Sequence, residues 1–280
     1  MPQHANSLES WLAFLRQAEI PVLRQTAREL ERQRENQAQL NARDVAEAVD
    51  DDPLLTLKLL RYLQGHKHRH QSYELIDVKQ TLLMMGLETF FREVPAEPLV
   101  EDVLKDHRLA LVQLLQTVRR AQRAAYYAYD WAVRLHDLHA EEVYVSALLS
   151  HLSEMLMWCF NPAQMLEIAR RQAADSTLRS ADVQQAVLGF RGVELQHRLV
   201  LEWRLPELLA NVTDPAQAHT QRVRNVRLAA NLARHSAHGW DNAALPDDYR
   251  DIGELLRLSP DQVKAVIRSR DESAPAKAAE

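Results

Sequence analysis

Four groupings in this 280-residue chain carry residue types that could do chemistry. His136, Asp137, His139 and Glu142 bring two imidazoles and two carboxylates close together in sequence, the donor set of a divalent metal. They fall at the polar end of a helical pattern, outside its apolar register, so the expected reading is a solvated turn, with a metal at a helix end as the alternative. His66, His68 and His70 alternate with Lys67 and Arg69. Neighbouring cations oppose a metal electrostatically, so this tract reads as a basic exposed loop suited to an acidic partner. Arg119, Arg120 and Arg123 lie among Tyr126, Tyr127, Tyr129 and Trp131, a mixture that can stack on and pair with a nucleotide. Helical spacing favours a core face of Tyr126, Tyr129 and Val133 with the arginines outside, leaving Arg119, Arg123 and Tyr127 as the residues a small nucleotide or a partner would meet. Cys159 sits in MLMWCF, where burial raises a thiol pKa and quiets it. The chain has no paired CxxC and no Gly-rich phosphate loop.

The elements that must position these groups are helical. Leu, Ala, Gln, Glu and Arg abound while Gly numbers only 6, which favours helices with short connections. The most apolar stretch, VSALLSHLSEMLMW from Val145 to Trp158, presents two adjacent hydrophobic faces and is expected inside a bundle; only Ser150, His151, Ser153 and Glu154 interrupt it. Leu8, Trp11, Leu12 and Leu15 mark a first helix that Ile20-Pro21 ends. A second is expected from Val22 to Gln37, and Asn41 is placed to cap a third. In DDDPLLTLKLLRYL, Asp52 is the expected N-cap and Pro53 occupies the first turn, where a missing N–H costs nothing. Asp77 starts DVKQTLLMMGLETFF, which Gly86 splits in two. Residues 93–107 read as a connection, followed by a long helix from about Leu109 to Leu135. Asn161 and Ser180 are the expected caps of the next two helices. A buried helix then runs within Leu188–Pro206, a long one carries Val223 to Ala233, and two short ones close the chain.

Composition limits the functions available. With 34 Lys and Arg against 39 Asp and Glu, the net charge of −5 gives no global basic field, so nucleic acid is not the expected partner. No segment approaches the roughly 18 to 20 uncharged apolar residues of a membrane span, and Met1–Ser10 lacks the features of a secretory signal. A single cysteine suits a reducing compartment, and a cytoplasmic location is expected.

The order of motifs resembles that of the HDOD family, bacterial signalling domains related to HD-domain phosphohydrolases. Pro21, Asp52, Pro53, Leu54, Lys58, Leu59, Leu60, Gly86 and Leu87 fit its amino-terminal pattern, although Gln64 and Gly65 replace its asparagine-serine pair. Leu188, Gly189, Glu194, Leu199, Trp203, Leu205 and Pro206 fit a downstream LG, EL, W-LP pattern, and VRLAANLARH is similar to the helix that carries the last metal-binding aspartate of HD enzymes. The likeness covers roughly residues 16–265 and implies an all-α, multi-helix HD-like bundle with an amino-terminal helical lobe. The lobe is expected over residues 1–95, the bundle over 96–268 and a disordered tail over 269–280.

The same resemblance implies where metal ligands would stand. Ser150 and His151 occupy the His-Asp dyad, Gly192 the downstream histidine and Asn231 the terminal aspartate. Serine is a poor ligand and one imidazole cannot fix a metal alone, so no catalytic residue, cofactor or metal is expected. The implied role is a non-catalytic regulatory module that contacts other signalling proteins in trans. The alternatives are a phosphohydrolase rebuilt on His136, Asp137, His139 and Glu142 or on the His66–His70 tract, and a nucleotide sensor using Arg119, Arg123 and Tyr127.

Overall fold

A computed structural model describes residues 7–36, 40–66, 77–175 and 177–273, with side chains through 268. Among the described residues the fold is all-helical, and the only β pairing is a parallel bridge between Val22 and Leu99.

Local capping sets the amino-terminal helices. α1 (Leu8–Gln17) starts at Ser7, whose side chain accepts the Ser10 amide. α2 (Arg24–Glu35) begins later than the apolar pattern suggests. Val22 is held by the bridge: its amide donates to Pro98 at 2.8 Å and its carbonyl accepts the Val100 amide at 2.9 Å. α3 (Ala42–Asp50) is capped by Asn41, which accepts the Arg43 and Asp44 amides. α4 (Pro53–Gly65) is capped by Asp52, as the Asp-Pro pair predicts. α5 (Val78–Met85) starts at Asp77 and is parted from α6 (Leu87–Glu93) by Gly86, whose φ of +80° favours glycine. The connection after it contains one short helix, α7 (Val100–Val103).

α8 (Arg108–Arg134) follows at its expected length. The apolar stretch beyond it is not one helix. α9 (Ala140–Leu148) and α10 (Leu152–Phe160) are separated by a turn at 149–151, where the Ser150 hydroxyl donates back to Ala147 O at 2.7 Å. Ala140–Phe160 is the one described stretch apolar enough by length and composition to cross a membrane, and 78% of its most apolar window is buried, which suits a core element. α11 (Pro162–Ala174) follows Asn161, whose side chain makes no capping bond and turns to Gln164 instead. α12 (Ser180–Leu188) is preceded by Arg179, so Ser180 is its first residue and not its cap. α13 (Gly192–Glu202), α14 (Glu207–Thr213), α15 (Gln221–His235), α16 (Leu245–Leu256) and α17 (Pro260–Ser273) complete the chain. Residues 269–273 continue α17, so the expected disordered tail does not begin at 269; residues 274–280 lie outside those described.

The chain divides into two compact units that are not contiguous in sequence: residues 1–118 with 151–206, and 119–150 with 207–280. The first differs from the expected lobe over 1–95, because α10 and α13 pack with the amino-terminal helices. The Phe14 and Phe160 rings meet edge to face at 5.3 Å, the Arg61 guanidinium lies 4.6 Å from the centre of the Trp203 ring, and Arg198 pairs with Glu9 at 2.8 Å. Val22, Leu30, Val49, Leu55, Leu59, Leu82 and Phe90 form a core cluster in this unit.

In the second unit α15 packs on α9, α14 and α16, and α16 on α17. The turn from α16 to α17 depends on Gly253. A Cβ there would stand 2.6 Å from the carbonyl oxygen of Leu258, whose amide donates back to Gly253 O at 2.9 Å. No larger residue fits without moving that backbone.

Candidate functional site

The His136-Asp137 dipeptide stands where α8 ends. His136 adopts the left-handed conformation with φ +55°, and the Asp137 amide donates back to Ala132 O at 2.9 Å, closing the helix as a C-terminal cap does. This geometry separates the two side chains. His136 is exposed, while the Asp137 side chain is only 7% exposed.

Asp137 is not solvated. Arg222, on the first turn of α15, donates from Nε to Oδ2 and from Nη2 to Oδ1, both at 2.8 Å. Its Nη1 donates to Glu142 Oε2 at 3.2 Å, and Glu142 is 11% exposed. Asp137 Oδ1 also accepts the His139 amide at 2.9 Å. Burial works to raise the Asp137 pKa, but the Arg222 hydrogen bonds, the His139 amide and the Arg222 charge together hold it below the usual carboxylate range. Both carboxylates are thus taken by one planar guanidinium fork. The expected solvated turn is therefore a part-buried ion-pair cluster joining the α8–α9 turn to α15. Among the described residues no group of three or more His, Cys, Asp or Glu is arranged to hold a metal ion.

The four positions implied by the family pattern fall two in each unit. Ser150 closes the end of α9 through Ala147, and His151 occupies the N-cap position of α10 without a side-chain cap bond. Gly192 is the first residue of α13; its amide donates to Gln184 Oε1 at 2.8 Å, and a Cβ there would lie 3.1 Å from the same oxygen. A histidine at this position would have to displace Gln184. Asn231 accepts from Arg234 Nη2 at 3.1 Å. One imidazole and no carboxylate do not fit a catalytic divalent metal.

Polar groups do the positioning around them, and of these only Ser153 and Glu154 stood out in the sequence. Gln196, buried on α13, accepts the amide of Ser153 at 2.8 Å, satisfying one open donor of the first turn of α10. Glu154 Oε1 accepts from Thr117 Oγ1 at 3.0 Å and from Trp158 Nε1 at 3.4 Å. Asn225, buried on α15, donates to Ala128 O at 2.9 Å. A lone polar residue on an apolar helix face is the only signal sequence offers for such groups.

The two proposed surfaces fare differently. His66 ends α4, donating from Nδ1 to Tyr62 O at 2.8 Å and stacking on the Tyr62 ring at 4.1 Å. His68 and His70 lie outside the described residues. Arg119 is exposed, as expected, but Tyr127 is only 2% exposed and stacks on buried Trp131. Arg123 Nη2 donates to the Tyr127 hydroxyl at 2.9 Å. Tyr127 therefore belongs to the core and not to a ligand surface. Tyr126 and Tyr129 pack edge-on against Tyr144, and Val133, expected inside, is 52% exposed. The buried stripe of α8 runs instead through Ala121, Ala124, Ala125, Ala128, Trp131 and Ala132, with Tyr127 beside it. Cys159 is fully buried, and burial together with the Asp52 charge pushes its thiol pKa up. It is inert.

These features define an all-helical, HD-like protein. The HDOD domain model matches residues 20–221, and the chain belongs to the HDOD family. Among solved structures it is similar to the MmoQ response regulator of Methylococcus capsulatus strain Bath, at 15% identity and a TM-score of 0.65, over 90% of this chain and 98% of that one. It is also similar to a virulence factor of Campylobacter jejuni, at 17% identity and a TM-score of 0.62, over 98% and 96%. An HDOD domain protein of unknown function from Geobacter sulfurreducens matches at 15% identity and a TM-score of 0.51, over 98% and 96%. A comparison with curated proteins finds no match.

Proposed function

We propose that this HDOD protein is a non-catalytic regulatory module of bacterial signalling, acting in the cytoplasm by contacting other signalling proteins in trans. The observation that carries this reading is the residue content of the four family positions: Ser150, His151, Gly192 and Asn231 supply a single imidazole and no carboxylate. The response-regulator description of the MmoQ relative is in keeping with it. Arg222 argues against the rebuilt hydrolase, because it occupies the carboxylates of Asp137 and Glu142. Burial of Tyr127 argues against a nucleotide sensor built on that residue.

A contacting module needs accessible apolar side chains, and α5 offers them: Leu83 is 64% exposed and Met84 59%. Singly exposed apolar residues are ordinary, but an adjacent pair on one helix can anchor a partner. Affinity capture with the full chain, followed by titration of each captured protein in purified form, tests the proposal. The expected result is a saturable complex that Leu83→Asp, Met84→Asp weakens about tenfold or more. Absence of any saturable protein partner, together with Mn²⁺-dependent phosphodiester hydrolysis by the same preparation, would overturn it.

A further inference from the structure

The second unit holds a cleft that the reading above does not use. It has a volume of about 660 Å³ and lies between residues 240–249 and one face of α17. That volume is the size of a small-molecule site. Its lining includes Trp240, Asp241, Tyr249, Lys264, Ile267 and Arg268.

The lining combines two aromatic rings with cations placed beside them. Trp240 is 43% exposed, a large area of indole for a soluble fold to leave in water unless something covers it. The guanidinium of Arg123 lies 5.4 Å from the centre of the Trp240 ring, and Lys264 Nζ lies 5.5 Å from the centre of the Tyr249 ring. Lys264 and Arg268 stand one turn apart on α17 and both are exposed, so their charges reach the same side of the cleft. Burial raises the Tyr249 pKa, while the Arg268 charge acts in the opposite direction, which places that charge within electrostatic reach of the phenol. Asp241 adds a carboxylate that can accept from ligand hydroxyl or amino groups, and Lys264 also meets Asp261 at 3.4 Å on the outer surface.

We infer that this cleft binds a free nucleotide, a planar base stacked against Trp240 or Tyr249 with its phosphate toward Lys264 and Arg268. An aromatic face accepts a flat ring of any identity, and two cations one helical turn apart accept phosphate oxygens. An uncharged ring would leave the cations without use, and a phosphate without a ring would leave the exposed indole uncovered. None of Arg119, Arg123 and Tyr127, the surface expected from sequence, lines this cleft; Arg123 only touches the Trp240 ring.

Calorimetric titration of the full chain with adenosine and guanosine mono- and diphosphates tests the inference, with adenosine and ribose 5-phosphate as half-ligands. The expected result is binding of at least one nucleotide, with each half-ligand about tenfold weaker or worse. Trp240→Ala and Lys264→Ala, Arg268→Ala should each weaken the nucleotide about tenfold, while Trp240→Phe retains most of the affinity. Lys264 and Arg268 are exposed, so their replacement keeps the test valid even if Trp240→Ala lowers stability. Absence of binding at roughly 1 mM nucleotide, or affinity unchanged in both variants, would overturn the inference. Binding of single-stranded RNA with no binding of free nucleotide would overturn it as well. None of these outcomes bears on whether the protein captures a signalling partner.

Discussion

Between pH 4 and pH 7 the protein is expected to lose about 2 kcal/mol of stability that an Asp52→Asn variant does not lose. Asp52 is fully buried. Its Oδ1 accepts the Leu54 and Leu55 amides at 2.9 and 3.2 Å, and its Oδ2 accepts the Leu23 amide at 2.8 Å. Burial pushes the carboxyl pKa up to about 6, against the pull of those backbone donors and of Thr26. In the unfolded chain an aspartate titrates near ~3.9. Because the folded pKa is the higher one, the folded state binds more protons across the interval, and stability falls as pH rises. The contribution is complete below about pH 4 and is lost as pH passes through about 6. Urea midpoints measured for both proteins from pH 4 to 7 read the difference directly. A difference that is flat, or that grows in the opposite sense, would mean that the three backbone donors hold the charge as comfortably as water does.

The second large effect is expected at Arg222. Arg222→Ala takes from Asp137, 7% exposed, both of its parallel guanidinium bonds and from Glu142, 11% exposed, a third. Stripping one partner from a buried pair costs about 3–5 kcal/mol, but Arg222 itself is 36% exposed, and solvent reduces the loss to about 2 kcal/mol. Asp137→Ala in the same background should recover part of it, since the orphaned charge is then gone. A coupling of at least about 1 kcal/mol is expected in the double-mutant cycle. Arg222→Lys should recover little, because an ammonium cannot make the two parallel bonds. Strict additivity of the single changes would show that the cluster is a solvated turn after all.

The parts of this architecture that could be read from sequence are those fixed within a few residues. Asp52-Pro53, Asn41 and Asp77 announce their helices because a cap and its amides are sequence neighbours. Gly86 announces a break because only its backbone takes φ of +80° without strain. The break at 149–151 carried no such mark: leucines continue through it, and the Ser150 hydroxyl bond to Ala147 that accompanies it is a matter of geometry. Likewise Arg222 is 85 residues from Asp137, so nothing local reveals that the HD dipeptide is already engaged. Motif order made the family legible, whereas the choice of Tyr127 over Tyr126 as a core residue needed the packing of Trp131. The cleft at Trp240 was invisible because α17 and residues 240–249 carry no shared motif.

The central claim is that the HD framework persists here without the donors of a metal centre. It is tested most directly by the metal content of the purified, untagged chain after exposure to Mn²⁺, Fe²⁺ and Zn²⁺ and thorough desalting, read by mass spectrometry. Metal at trace level is the predicted result. Near-stoichiometric retention of any of the three would contradict it, because ligands outside Ser150, His151, Gly192 and Asn231 would then have rebuilt a site.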